Sequence, residues 1–517
     1  MRTQRFDPAF LHVLLLAAGA SLAAARPAAA VQSRPAAVDA KAAPVDPASD
    51  PRVAEALHLL DLWVAAERDW QRIPGISVGV VHDQTLVWSK GYGYAHVDRK
   101  VAASPSTIYS ICSISKLFTS ISVMQLRDRG LLSLGDPVTK HLDWFDQHWT
   151  EPHTPPVTIE GLLTHSAGLA REAEMPYWAN ATTLALAAQP PRDYAFPSRD
   201  DLLRAVPGRP VLFPAASYYQ YSNLGLTLAG EIVAARSGLD WGDYVKQNIL
   251  DPLGMNDTFT EIPVQHRDGR MATGYSGTPR EGERIVMPFF QVKAFRPAFG
   301  IASTVEDLAK FASWQFRALD YRTSAVLNGN TLAEMQRVHW MDPDGSALRG
   351  IGFAINVRDN KTFVGHGGSC PGHRTQLDLQ THEKIATIAM SNGGDVNAGA
   401  FTRMAYNIVA PALRRAADPA AGPAKPADAS LQKYAGIYGT GLGGETAVLV
   451  WEGQLALVGL PSDDPLASMT KLRHVEGDTF RRVRRDGELA EPYRFEIGPD
   501  GRATRFVHFE NYSERVR

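Results

Sequence analysis

The chain has 517 residues, 44% hydrophobic and 21% charged, with 43 Gly and 34 Pro. These ordinary globular proportions exclude a wholly disordered chain and a multispanning membrane protein. With 53 basic and 55 acidic residues the formal net charge is -2, so there is no cationic excess to neutralise phosphates, and nucleic acid is not an expected partner.

At the start of the chain Arg2 and Arg5 precede an apolar run from Val13 to Ala25, followed by small residues. This pattern predicts a signal peptide over residues 1–30, cleaved after Ala25 or Ala30. Arg26 and Pro27 interrupt the run too early for a spanning helix, which needs about 20 residues. The expected product is periplasmic or secreted, with no stable membrane span after cleavage. Residues 31–50 are rich in Ala and Pro without apolar periodicity and predict a disordered linker.

Order is expected from residue 51. Apolar residues recur at helical spacing from Arg52 to Arg72, and GISVGVVHDQTLVWSKGYGYA then reads as two strands joined at His82 to Gln84. His141, His148 and His153 lack a recognised ligand spacing and read as surface-loop histidines, so neither a metal nor any other cofactor is expected. Only Cys112 and Cys370 occur. The chain is therefore no disulfide scaffold, its core is expected to carry stability alone, and whether the two thiols are free stays open. A second Ala/Pro-rich break at residues 415–430 separates a main α/β domain, 51–414, from residues 431–517. There TAVLVWEG, LALVGL and TRFVHFE lie between Gly and Asp turns and predict a small antiparallel β domain. Few contacts are expected across that boundary.

Three segments carry candidate chemistry. In SISKLFTSISVMQLRDRG, apolar residues after Ser113 leave little polar face before Gly130, which predicts a buried helix. Ser113 and Lys116, three apart, are neighbours on its first turn. Burial favours a neutral amine, and a neutral amine beside a hydroxyl is a general base beside a latent nucleophile. In YYQYSNLG, Tyr221 and Asn223 stand at the mouth of a second helix, Leu224 to Arg236, closed by Gly238; the plainer reading makes Asn223 its N-cap. In TFVGHGGSCPGHRTQLDL, glycines bunch around His366 between strand-like runs, which suits a strand edge closely approached by other backbone or by a ligand.

In the order SISK, YSN, HGG these segments resemble the three motifs of the serine β-lactamase and penicillin-binding-protein superfamily, with its esterase and D-aminopeptidase branches. PGISVGVV, WSKGYGYA, LLSLGDPV, LLTHSAGL, DPLGM and STVEDLAKF resemble its linking segments in order, over Pro74 to Leu413. The resemblance implies an α/β sandwich, an antiparallel sheet flanked by helices with a helical lobe and the site between. It implies an acyl-enzyme on Ser113, proton transfer shared by Lys116 and Tyr221, and Asn223 holding Lys116 and substrate. His366, Gly368 and Ser369 would line the opposite strand, with the N–H groups of Ser113 and Ser369 as oxyanion hole. The implied activity is hydrolysis of an ester, D-amino-acid peptide or β-lactam, with a small-molecule or short-peptide substrate, cell-wall-derived ones included. Oligomeric state stays open.

Two departures bear on substrate. His366 stands where penicillin-binding proteins commonly carry Lys, which favours the esterase and D-aminopeptidase branches. Phe299 stands where a small residue is usual, either narrowing the cleft or simply packing. The aromatic, proline-marked segment Arg171 to Arg204 is implied to lie over the cleft. The rival readings are a cysteine hydrolase built on Cys112 and His366, an α/β-hydrolase, and a non-catalytic or weakly catalytic binding protein that keeps the fold. GISVG at Gly75 opens a strand-like run instead of a nucleophile elbow, and intact Ser113, Lys116 and Tyr221 argue against a mere binding module.

Overall fold

The computed structural model describes residues 49–146, 154–172, 194–267, 269–322, 324–424, 428–439 and 444–517. The signal peptide, nearly all of the first linker, His148, His153, residues 173–193 of the segment expected over the cleft, and residues 425–427 of the second linker lie outside them. None of the helices described is long and apolar enough to cross a membrane.

Helix α1 (Pro51–Trp70) begins where it does because the Asp50 carboxylate accepts from Arg52 N at 2.8 Å and Pro51 occupies the first turn, where its missing N–H costs nothing. The hairpin of β1 (Gly75–His82) and β2 (Thr85–His96) follows, turning at the expected residues. With β3 (Val101–Ala102), β4 (Trp340–Met341), β5 (Leu348–Arg349), β6 (Ala354–Arg358), β7 (Lys361–Cys370), β8 (His373–Gln380) and β9 (Ile385–Ser391) it forms a nine-stranded antiparallel sheet in the order β3-β2-β1-β9-β8-β7-β6-β5-β4.

Side chains alternate across this sheet and divide the core in two. On β9, Ile385 and Ala389 join Ile76, Val78 and Val80 of β1 beneath α1 and the C-terminal helix. Ala386, Ile388 and Met390 face the other way, into the core of a helical lobe. That lobe is built by α2 (Ser115–Asp128), α3 (Asn223–Ser237) and α4 (Val305–Tyr321). The last helix, α5 (Ala398–Ala417), packs beside α1. The layers are thus helix pair, sheet and helical lobe, as the resemblance implied.

Beyond α5 the chain closes an eight-stranded antiparallel barrel: β10 (Gly436–Gly439), β11 (Glu445–Trp451), β12 (Gln454–Leu460), β13 (Thr470–Glu476), β14 (Thr479–Val483), β15 (Leu489–Ile497), β16 (Ala503–His508) and β17 (Asn511–Arg515), with β10 pairing β17. Its interior is filled by Tyr438, Val448, Leu457, Phe480, Phe495 and Phe506. The expectation of few contacts across the boundary is corrected here. Ala447 and Leu449 of β11 and Ala456, Val458 and Leu460 of β12 point out of the barrel into the same hydrophobic cluster as α1 and α5. Trp63 donates to Ser462 O at 2.7 Å, and Glu452 N donates to the Glu55 carboxylate at 2.8 Å. Helix α5 also runs three residues into the predicted linker, and Arg415 pairs with Glu452 of the barrel.

Cys112 and Cys370 form a disulfide with Cα atoms 5.8 Å apart, closing a loop of 258 residues. The core therefore does not carry stability alone. His141 is also corrected: its side chain is 1% exposed and its Nε2 lies 2.9 Å from the Asp136 carboxylate, so it is a buried partner and not a surface-loop residue.

Candidate active site

Ser113 lies in a one-turn 3-10 helix, Cys112–Ile114, that runs directly into α2. Cys112 adopts φ +51°, a conformation rarely taken by non-glycine residues. The turn is held from three sides. The disulfide ties Cys112 to the end of β7, Thr375 Oγ1 donates to Ile111 O at 3.0 Å, and Ser115 Oγ donates to Cys112 O at 2.6 Å while accepting from Ile301 N. Strand β7 passes so close that a Cβ on Gly368 would sit 2.1 Å from Ile111 O. Only glycine fits there, which explains the bunched glycines of HGGSC.

Lys116, one turn on, is fully buried. Its Nζ lies 3.1 Å from Ser113 Oγ, donates to Asn223 Oδ1 at 2.7 Å and to Ala298 O at 2.8 Å, and sits 4.8 Å from the centre of the Tyr221 ring. Burial holds its pKa well below that of an ordinary lysine; the Glu172 charge opposes the shift and Arg171 adds to it. The neutral amine has two N–H groups and one lone pair. Two partners, a side-chain carbonyl and a backbone carbonyl, can only accept, so they take the two N–H groups and the lone pair is left for the Ser113 hydroxyl.

Asn223 does not cap its helix. Ser222 does, accepting from Gly225 N at 2.9 Å, while Asn223 opens α3 and is free to bind Lys116. Tyr221, half-buried, hydrogen-bonds the Ser113 hydroxyl, and burial raises its pKa. His165, from the turn after the helix Ile159–Thr164, packs against the Tyr221 ring at 4.4 Å, and Arg171 lies 4.9 Å from that ring's centre. Nδ1 of His165 accepts from Ser222 N at 3.1 Å, and burial keeps this imidazole neutral, with its pKa well below the usual range.

His366 projects from β7 and is buried, which lowers its pKa to about 3, helped by the Arg349 charge. Nδ1 donates to Gly367 O at 2.6 Å, so Nε2 is an acceptor and the ring is not a fixed cation. Ser113, Tyr221, His366, Gly368 and Ser369 share a cleft of about 360 Å³, with Arg171 and Arg374 also at its walls. Phe299 does not narrow it; the ring is buried against Phe196 and Phe295. The structure thus brings together all seven residues singled out in the sequence. It adds Ala298, whose carbonyl fixes Lys116, together with His165, Arg171 and Glu172. Of these last three, His165 lies in the linking segment LLTHSAGL, and Arg171 and Glu172 open the segment expected over the cleft, where nothing in the sequence distinguishes Glu172 from Glu174.

A three-layer sandwich with a lysine-paired serine between sheet and helical lobe is the arrangement of the serine β-lactamase and penicillin-binding-protein superfamily. The chain belongs to the Beta-lactamase family, whose model matches residues 60–410. It is 28% identical over 335 residues to Protein flp of Staphylococcus aureus (strain COL), covering 63% of this chain and 61% of that one. The chain therefore aligns with less than two thirds of that relative's length. The fold resembles the octameric penicillin-binding protein homologue from Pyrococcus abyssi, with a TM-score of 0.58 and 23% identity over 88% of this chain and 99% of that one. It also resembles a D-stereospecific amidohydrolase from Streptomyces sp., with a TM-score of 0.55 and 19% identity over 67% and 98%.

Proposed function

We propose that the protein is an exported serine hydrolase that cleaves an ester or amide through an acyl-enzyme on Ser113. The observation that carries this reading is the environment of Lys116. Two fixed acceptors hold a fully buried amine so that its lone pair is directed at the Ser113 hydroxyl. In the first half-reaction Ser113 Oγ bonds to the acyl carbon as its proton passes to Lys116. Backbone N–H groups of Ser113 and Ser369 receive the oxyanion, a contribution typically about 3 kcal/mol per donor. Tyr221, whose hydroxyl meets Ser113, passes a proton to the departing alkoxide or amine as the bond to the acyl carbon breaks. Water then enters by the reverse path and releases the acid.

Because His366 is neutral, the cleft presents no lysine-like cation at that position to capture a substrate carboxylate. This supports ester or D-aminoacyl amide substrates over β-lactams, in keeping with the amidohydrolase among the fold's neighbours. The test is reaction with a serine-reactive phosphonate followed by mass spectrometry. The adduct is expected on Ser113, with turnover of short-chain p-nitrophenyl esters or D-aminoacyl amides exceeding that of nitrocefin. An unlabelled Ser113 in folded protein would instead favour a binding protein that retains the fold.

A further inference from the structure

Glu172 belongs to none of the three motifs, yet its carboxylate is only 11% exposed and accepts from Asn223 Nδ2 at 2.6 Å. Asn223 Oδ1 in turn accepts from Lys116 at 2.7 Å, so a chain of bonds runs from Glu172 through the Asn223 amide and Lys116 to Ser113. Arg171 Nε lies 3.7 Å from the same carboxylate oxygen.

An asparagine amide has two ends of similar shape and opposite hydrogen-bonding character. If the Asn223 amide were reversed, its NH2 group would face Lys116. The amine could satisfy that donor only with its lone pair, and Ser113 would lose its proton acceptor. Lys116 alone cannot prevent the reversal, because a neutral amine can either donate or accept. A carboxylate only accepts, so Glu172 holds the NH2 end and leaves the carbonyl facing Lys116. We infer that Glu172 is a positioning residue that fixes the Asn223 amide in the one orientation that frees the Lys116 lone pair for Ser113. This inference rests on the acyl-transfer reading above.

Glu172 also acts through its charge. The titratable and charged groups gathered around Lys116 are Ser113 on its own turn, Tyr221 from the approach to α3, and Glu172 and Arg171 from the segment after Leu169. His165 and His366 stand beyond Tyr221, and Arg349 of β5 lies further out. Burial disfavours the ammonium, and Glu172 is the carboxylate that favours it. Acylation requires neutral Lys116 and so rises with pH as this amine deprotonates. Removing the Glu172 charge makes the amine easier to deprotonate and moves that rise to lower pH.

The experiment measures the second-order rate of Ser113 labelling by a p-nitrophenyl alkylphosphonate against pH, for wild type, E172A, E172Q, N223A and E172A/N223A of the full chain. E172A is expected to label at least tenfold more slowly at the wild-type optimum. The double variant should be no slower than N223A, since the two residues act as one unit. E172Q presents both a carbonyl and an NH2 group to Asn223 and so no longer enforces the orientation; it should recover only part of the rate lost in E172A, while its acidic limb shifts to lower pH. Equal rates and limbs in wild type and E172A, or fully additive losses, would overturn the inference. If E172A fails to fold, E172Q decides, because a wild-type rate with an unmoved limb in that variant refutes both the positioning role and the charge contribution. A wild type that takes no label at Ser113 refutes acyl transfer itself, an outcome distinct from labelling that is indifferent to residue 172.

Discussion

The cleft and the C-terminal barrel bury their residues by opposite rules. Around the cleft Ser113, Lys116, His165, Ser222, Asn223 and His366 are all buried. Among the described residues of the barrel no serine, threonine, amide, histidine or charged side chain is. The barrel keeps its ions outside, in pairs such as Arg505 with Glu496 at 2.7 Å and Arg517 with Glu445 at 2.6 Å, while aromatic rings fill the interior. Burying a polar group costs free energy unless every bond is replaced. The main domain tolerates that cost at the cleft and also at structural positions such as Asp307, Gln315 and Asn392, whereas the described residues of the barrel avoid it. The cleft is organised by chemistry and the barrel by stability.

Substitutions can break this division or sharpen it. The largest expected effect is that of Ser113→Ala, which should lower ester or amide turnover by about 10⁴-fold or more with little change in melting temperature. Comparable loss of folding would place Ser113 with the structural residues instead. Lys116→Met should cost about 10³ in turnover, within the range of a lost general base. Its melting temperature should hold or rise, because an amine that is costly to bury is replaced by an apolar chain of similar length. A large drop on calorimetry would show the lysine to be a structural ion.

The disulfide lies between the two cases, since it staples the nucleophile's turn to β7. Replacing both Cys112 and Cys370 by Ala is expected to lower stability by about 4 kcal/mol, as for a cross-link closing a long loop, measured by denaturant titration with and without reductant. Leu449→Ala, on the outer face of β11, should cost about 3 kcal/mol through the cavity it leaves against α1 and α5, with phosphonate labelling of Ser113 unchanged below the transition. If labelling changes as well, the barrel reaches the cleft energetically. The smallest effect belongs to Arg505→Ala. This solvent-exposed pair should move the denaturation midpoint barely if at all at low salt and not at all at high salt.

The shared cluster also decides how a truncated protein would behave. Removing the barrel would expose the flank of α1 and α5 that Ala447, Leu449, Ala456, Val458 and Leu460 now cover. A chain ending at Arg415 is therefore expected to be poorly soluble. A clue lay in the strands themselves. TAVLVW and LALVGL are continuously apolar, which suits strands covered on both faces, whereas a barrel strand facing solvent alternates. The Ala/Pro composition of the linker suggested independence, but linker composition describes the connection and not the surfaces it joins.

Local rules made much of the molecule legible in advance. Helical spacing placed α1 and α2, Gly238 closed α3, and the hairpin of β1 and β2 turns where its sequence breaks. The spacing of Ser113 and Lys116 is set by helix geometry, so their proximity could be read from four consecutive residues. Tertiary structure decided everything that depends on groups distant in the chain meeting. It made Ser222 rather than Asn223 the cap of α3, brought Ala298 O to Lys116 across 182 residues, joined Cys112 to Cys370, and set Glu172 against the Asn223 amide. Periodicity reports which face of an element is buried but not what covers it, and the direction of an amide or the lone pair of an amine is settled only when its partners are in place.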